Sequence, residues 1–114
     1  MLSVLRSIVQ EVNAAKDLQH ALDIIVSRVQ EAMDTDVCSV YLFDPASNCY
    51  RLMATEGLNQ DAVGKVSLGH SEGLVGLVGV REEPINLQDA PSHPRYRYFP
   101  ETGEERYHSF LGVP

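Results

Sequence analysis

Two short runs constrain this chain more than anything else in it. Residues 37–43 (VCSVYLF) and 49–55 (CYRLMAT) are rich in β-branched and aromatic side chains, and the five residues between them, DPASN, are turn formers. They read as an antiparallel hairpin. Side chains alternate along strands, so a register that sets Phe43 opposite Cys49, Val40 opposite Leu52 and Ser39 opposite Met53 sorts the residues into two faces. One face holds Cys38, Val40, Leu42, Tyr50, Leu52 and Ala54, nearly all apolar, and is expected to take the helices. The other holds Val37, Ser39, Tyr41, Phe43, Arg51, Met53 and Thr55, a mixture that suits either a ligand floor or a partly solvated sheet face. The same register separates Cys38 and Cys49 by about five residues, roughly 17 Å along the strand. A disulfide needs Cα atoms within about 7 Å, so the two thiols are expected to stay unpaired within one chain.

Helical periodicity precedes the hairpin. Residues 2–14 carry Leu2, Leu5, Val9 and Val12 at steps of three and four, a stripe as narrow as those by which helices pair. This first helix is expected to form a homodimer contact, the alternative being a surface helix of a monomer. After Asp17, an N-cap candidate, Leu18, Ala21, Leu22, Ile25, Val26, Val29 and Met33 form one broad apolar face, suited to covering a core.

Beyond the hairpin, residues 65–68 (KVSL) read as a strand, and EGLVGLVG follows with Gly73, Gly76 and Gly79 three apart. That segment lacks the Lys-Ser/Thr ending of a phosphate loop and the glycine spacing of a dinucleotide fold. Glycines so placed on a short helix admit a close neighbour, either the sheet or a small molecule. Pro84 to Leu87 fit an edge strand. Residues 88–108 have little periodicity but carry Tyr96, Tyr98, Phe99 and Tyr107. Loops of that length are usually lids or binding segments when they are not disordered, and the aromatics argue against disorder. Arg95, Arg97 and Arg106 either meet a carboxylate ligand or pair with Glu101, Glu104 and Glu105. The apolar run Phe110 to Val113 before Pro114 reads as a domain lacking its last strands and closing helix. The whole is an α+β chain with an antiparallel sheet and flanking helices, one domain over residues 1–114.

Charge narrows the partners. Nine Lys and Arg stand against 16 Asp and Glu, a formal net charge of −7, and the basic residues are scattered. Phosphate binding needs clustered cations, so neither nucleic acid nor an anionic membrane is expected as partner. With no long apolar run and no signal-peptide pattern, a cytoplasmic location is expected. His20, His70, His93 and His108 match no metal-ligand spacing, the two cysteines are too isolated for zinc, and no catalytic triad is indicated. No metal or cofactor is expected.

The ordered set DVCSVYLFD, MATEGL, EGLVGLVG, EPINLQDA, HPRY and GEERYHSFLGVP resembles the first three-quarters of a GAF domain, a small α/β sensor fold with an antiparallel sheet. More narrowly it resembles the GAF domains of the nitrogen-related enzyme I family, bacterial phosphoenolpyruvate–protein phosphotransferases whose catalytic domains lie downstream. Neither of those domains is in this sequence, so no transferase residue carries over. The Asn-Lys-Phe-Asp-Glu set of cyclic-nucleotide GAF domains is not found, and the cysteines do not stand where bilin-binding GAF domains place theirs. The resemblance implies a sensor of nitrogen status, for glutamine or a related metabolite, that tunes autophosphorylation of the attached phosphotransferase. It also implies a pocket between the sheet face bearing Ser39 and the glycine-rich segment, with the loop after Asn86. The candidate ligand residues are Ser39, Tyr41, Met53, Thr55, Leu74, Asn86, Asp89 and Tyr98. Two alternatives stand beside this reading. One is a dimerisation module whose pocket is filled by side chains. The other is a free methionine sulfoxide reductase, whose chemistry needs two thiols within reach of each other, against the register above.

Overall fold

A computed structural model describes residues 2–94, 96 and 109–114, with the side chain of Leu2 left aside. In chain order the elements are α1 (Leu2–Asn13), α2 (Leu18–Met33), β1 (Cys38–Asp44), β2 (Cys49–Glu56), β3 (Ser67–Gly69), α3 (Gly73–Arg81), β4 (Ile85–Leu87) and β5 (Phe110–Gly112). Short 3-10 turns stand at Gln60–Ala62 and Ala90–Ser92. One antiparallel sheet has the order β1-β2-β3, and a second pairs β4 with β5. No helix among the described residues is long and apolar enough to cross a membrane.

The second helix is bounded as its sequence dictates. Asp17 lies in extended backbone and accepts the amide of His20 at 2.8 Å, satisfying one of the orphan donors of the first turn. Asp34 closes the helix in the left-handed region, its amide bonded to the carbonyls of Gln30 and Glu31. Leu22 and Val26 are buried with Ala54 of β2, and Cys38, Val40, Leu42 and Met53 pack around them. Thus β1 presents the face expected of it. The first helix lies on α2, where Glu11 pairs with Arg28. Ile8, Glu11 and Val12 are half-buried on that side, whereas Leu5 is 55% and Val9 48% exposed, so the apolar stripe divides between α2 and solvent.

The hairpin register differs from the expectation. Asp44, not Phe43, is opposite Cys49, Tyr41 is opposite Leu52, and a one-residue irregularity between Val40 and Tyr41 sets Val40 against Ala54 and Ser39 against Thr55. Met53 is the extra residue, the signature of a β-bulge. Because the side-chain period is two, that insertion sends the outer part of β2 to the opposite face. Leu52, with no exposed surface, packs with Ala62, Val66 and Tyr41 away from α2, and Tyr50 meets Phe43 with ring centroids 5.2 Å apart. Met53 moves the other way, into the α2 cluster. The cysteines stand at opposite ends of the hairpin, Cys38 opposite Glu56 and Cys49 opposite Asp44, and both are free thiols.

At the hairpin tip Asp44 accepts the amide of Ala46 at 3.0 Å and the hydroxyl of Ser47 at 2.9 Å, while Asn48 takes the left-handed conformation the turn requires. The glycines of α3 are explained largely by packing. A Cβ on Gly76 would stand 2.6 Å from the backbone carbonyl carbon of Ser71, and one on Gly79 would strike the Tyr50 hydroxyl and come within 2.6 Å of its Cζ. Gly79 therefore lets α3 approach the sheet, and Gly76 lets the helix pack on the turn that precedes it. Leu77, Val78 and Ile85, with Leu87 and Phe110 packed against them, tie α3 to the small second sheet.

Candidate cleft between the sheet and α3

The face of β1 and β2 turned away from α2 forms one wall of a cleft of about 1350 Å³. Ser39, Tyr41 and Tyr50 supply that wall, Gly73, Leu74, Val78 and Gly79 of α3 supply the opposite one, and Asn86, Gln88 and Phe110 close one end. The volume exceeds the usual range for small-molecule sites because the cleft continues around the outer edge of β1 to Val29 and Met33 of α2. A second hollow of about 440 Å³ follows the same edge from Cys38 to Leu42 beside Ile25, Val113 and Pro114. No strand among the described residues pairs with that edge.

Four of the expected ligand residues, Ser39, Tyr41, Leu74 and Asn86, come together on this cleft. Met53 does not. The bulge turns it into the α2 cluster, and it cannot enclose a ligand on the other side of the sheet. Thr55 is on the right face, beside Ser39 on the neighbouring strand, but is only 4% exposed and does not line the cleft; its hydroxyl is 2.8 Å from that of Ser39. Asp89 is exposed outside the lining, where its carbonyl accepts the Ser92 hydroxyl at 2.8 Å at the start of a 3-10 turn. Tyr98 lies outside the described residues, as do Arg95, Arg97 and Arg106. The structure adds Tyr50, Gln88, Tyr96 and Phe110 to the lining. Alternation alone places Tyr50 on the wrong face, since the bulge that reverses it is invisible to the pattern. Tyr96 and Phe110 belong to a stretch whose aromatics do mark it in the sequence.

The wall is one of apolar bodies carrying hydroxyl and amide groups. Hydroxyls and amides of this kind orient ligands in small-molecule sites, and the carboxylates of Asp36 and Glu82 also line the cleft. Burial pushes the Cys38 thiol up from its ordinary value, the opposite of what a thiolate nucleophile needs. Cys49, at the far end of the hairpin, meets the Ser47 hydroxyl at 3.1 Å. Among the described residues no three His, Cys, Asp or Glu side chains come together as a metal site would require.

The family model of the GAF domain matches residues 17–114. This chain belongs to the GAF domain family. It is 53% identical over all its 114 residues to a protein of Escherichia coli K12 named for the phosphoenolpyruvate-dependent phosphotransferase system, and it spans 15% of that relative's length. Among solved structures it resembles the GAF domain of a phosphoenolpyruvate–protein phosphotransferase from Coxiella burnetii, with 57% identity and a TM-score of 0.91, over 99% of this chain and 67% of that one. A free methionine-R-sulfoxide reductase from Neisseria meningitidis superposes with a TM-score of 0.76 over 97% of this chain and 62% of its own. At 20% identity that likeness shows the fold alone. The α+β architecture expected from the sequence is therefore that of a GAF domain, and the two sheets and three helices among the described residues follow the fold of the Coxiella domain.

Proposed function

We propose that this GAF domain is the regulatory module of a cytoplasmic phosphoenolpyruvate–protein phosphotransferase, and that its cleft binds a small nitrogen metabolite such as glutamine to tune autophosphorylation. The observation that carries the reading is the convergence of Ser39, Tyr41 and Asn86 on one cleft, in a chain similar along its whole length to part of a phosphotransferase-system protein. A metabolite present at high concentration needs only modest affinity. A Kd of about 0.1 to 1 mM corresponds to about 4 to 5.5 kcal/mol. Such a ligand shifts the attached enzyme only by its difference in affinity between two states, so the coupling is small. The test is autophosphorylation of the parent enzyme by phosphoenolpyruvate, with and without glutamine. A rate that changes with glutamine and ceases to change in the Asn86→Ala enzyme supports the reading; a rate indifferent to glutamine, glutamate and 2-oxoglutarate contradicts it.

A second reading is a dimerisation module, favoured by the exposure of Leu5 and Val9 on α1. An apolar stripe of that kind suits a second copy of the same helix. In this reading the α1 stripe forms the dimer and the cleft takes no ligand, so the two readings part on whether glutamine binds.

A further inference from the structure

A residue beside the cleft wall bears on what the wall can recognise. Thr55 is directly opposite Ser39 across the hairpin, and it is buried without lining the cleft. The hydroxyls of the two residues stand 2.8 Å apart, and either could be the donor by distance alone. The Thr55 carbonyl is held separately by the side-chain amide of Gln60 at 2.7 Å, which fixes this end of β2.

A hydroxyl has one proton to give and two lone pairs that accept. A buried polar hydrogen left without an acceptor carries the full cost of its desolvation. Among the described residues the Thr55 hydroxyl has one hydrogen-bond partner, the Ser39 oxygen. Among those residues, then, its proton is satisfied only when Thr55 donates and Ser39 accepts. Ser39, half-buried at the cleft wall, then keeps its own proton for the cleft. Accepting one hydrogen bond also polarises a hydroxyl and strengthens it as a donor.

We propose that Thr55 is a positioning residue that sets Ser39 as a hydrogen-bond donor into the cleft, so that the ligand group received there is an acceptor oxygen, an amide carbonyl or a carboxylate. This rests on the ligand-binding reading above and assigns the chemistry of one point in that site. It also gives a role to a residue expected to touch ligand that is buried beside the cleft wall without lining it.

The experiment is calorimetric titration of the full chain with L-glutamine, for the unsubstituted protein and the variants Ser39→Ala, Thr55→Val, Thr55→Ser and the double variant Ser39→Ala/Thr55→Val, each first checked by thermal melting. Thr55→Val keeps the shape and removes the donor. It is expected to weaken binding about three- to tenfold, the range of one net hydrogen bond. Thr55→Ser restores the binding. In the Ser39→Ala background Thr55→Val adds nothing, because a residue that acts through another loses its effect once that other is gone. A loss that is the same with and without Ser39, or no loss at all, overturns the proposal while the sensing reading stands. No binding by the unsubstituted protein overturns both. L-norvaline, which keeps the α-carboxylate and lacks the side-chain amide, separates the two oxygens. Binding still sensitive to Thr55→Val assigns the carboxylate, and insensitive or absent binding assigns the amide.

Discussion

The side-chain amide of Gln19, in the first turn of α2, donates to the carbonyl of Met53 at 2.9 Å, and so holds the bulge of β2 from 34 positions away in the sequence. A bulged residue leaves its own strand's ladder unpaired locally, and a side chain that supplies the missing partner makes the irregularity the stable state. Replacing Gln19 with Ala is expected to lower stability by about 0.5 to 1.5 kcal/mol, the net value of one hydrogen bond, in chemical denaturation. A variant as stable as the parent would show that water serves the Met53 carbonyl equally well.

A second expectation concerns the contact of α3 with the sheet. Gly79→Ala would raise helix propensity by about 1 kcal/mol in an isolated helix. Here the new Cβ meets the tip of the Tyr50 ring, and overpacking of this kind costs about 1 to 3 kcal/mol. The variant should therefore be less stable. Adding Tyr50→Phe removes the hydroxyl but leaves Cζ, so it should recover part of the loss rather than all of it. Denaturation midpoints of the single and double variants measure both.

These two contacts also mark where the sequence stops being informative. The hairpin, the capped α2 and the inward face of β1 are legible because Asp17, the DPASN turn and the alternation of Cys38, Val40 and Leu42 act locally. The bulge is not, because it depends on Gln19 reaching Met53 and on Leu52 filling the space between Ala62 and Val66. One unseen residue thus misassigns Tyr50, Leu52 and Met53 together, while Ser39 and Tyr41 on the regular strand keep their places at the cleft. The glycines of α3 leave both packing and ligand contact open until the positions of Ser71 and Tyr50 are known. Leu74 and Asn86 belong to the cleft by the fold family's logic, which the alternation of a hairpin cannot supply.

The hairpin tip should respond to acid. The Ser47 hydroxyl, then the Ala46 amide, hold the Asp44 carboxyl below its ordinary value; desolvation opposes them in part, and the Arg51 guanidinium and the Ser47 amide add lesser help. A carboxylate depressed in the folded state contributes stability that is fully present above its unfolded value, roughly pH 4, and is lost as pH falls through the lower folded value. The stability difference between the parent and Asp44→Ala should therefore shrink as pH is lowered from 6 to about 3. A difference independent of pH over that range would mean that the neutral acid holds the turn as well as the carboxylate does.

For α1, the exposed Leu5 is the residue to charge. Leu5→Glu would place an uncompensated carboxylate in any seam between two copies of the helix. Light scattering is expected to find a dimer for the parent and a shift towards monomer for the variant. A parent that is monomeric before any substitution contradicts the dimer helix.

The most direct measurement is titration of the full chain with glutamine, glutamate and 2-oxoglutarate, followed by calorimetry or by NMR shifts of residues lining the cleft. Saturable binding of at least glutamine is expected, with a Kd of about 0.1 to 1 mM, weakened about three- to tenfold by Ser39→Ala and by Asn86→Ala. No binding of any of the three to a well-folded protein, or binding that neither substitution affects, would contradict it.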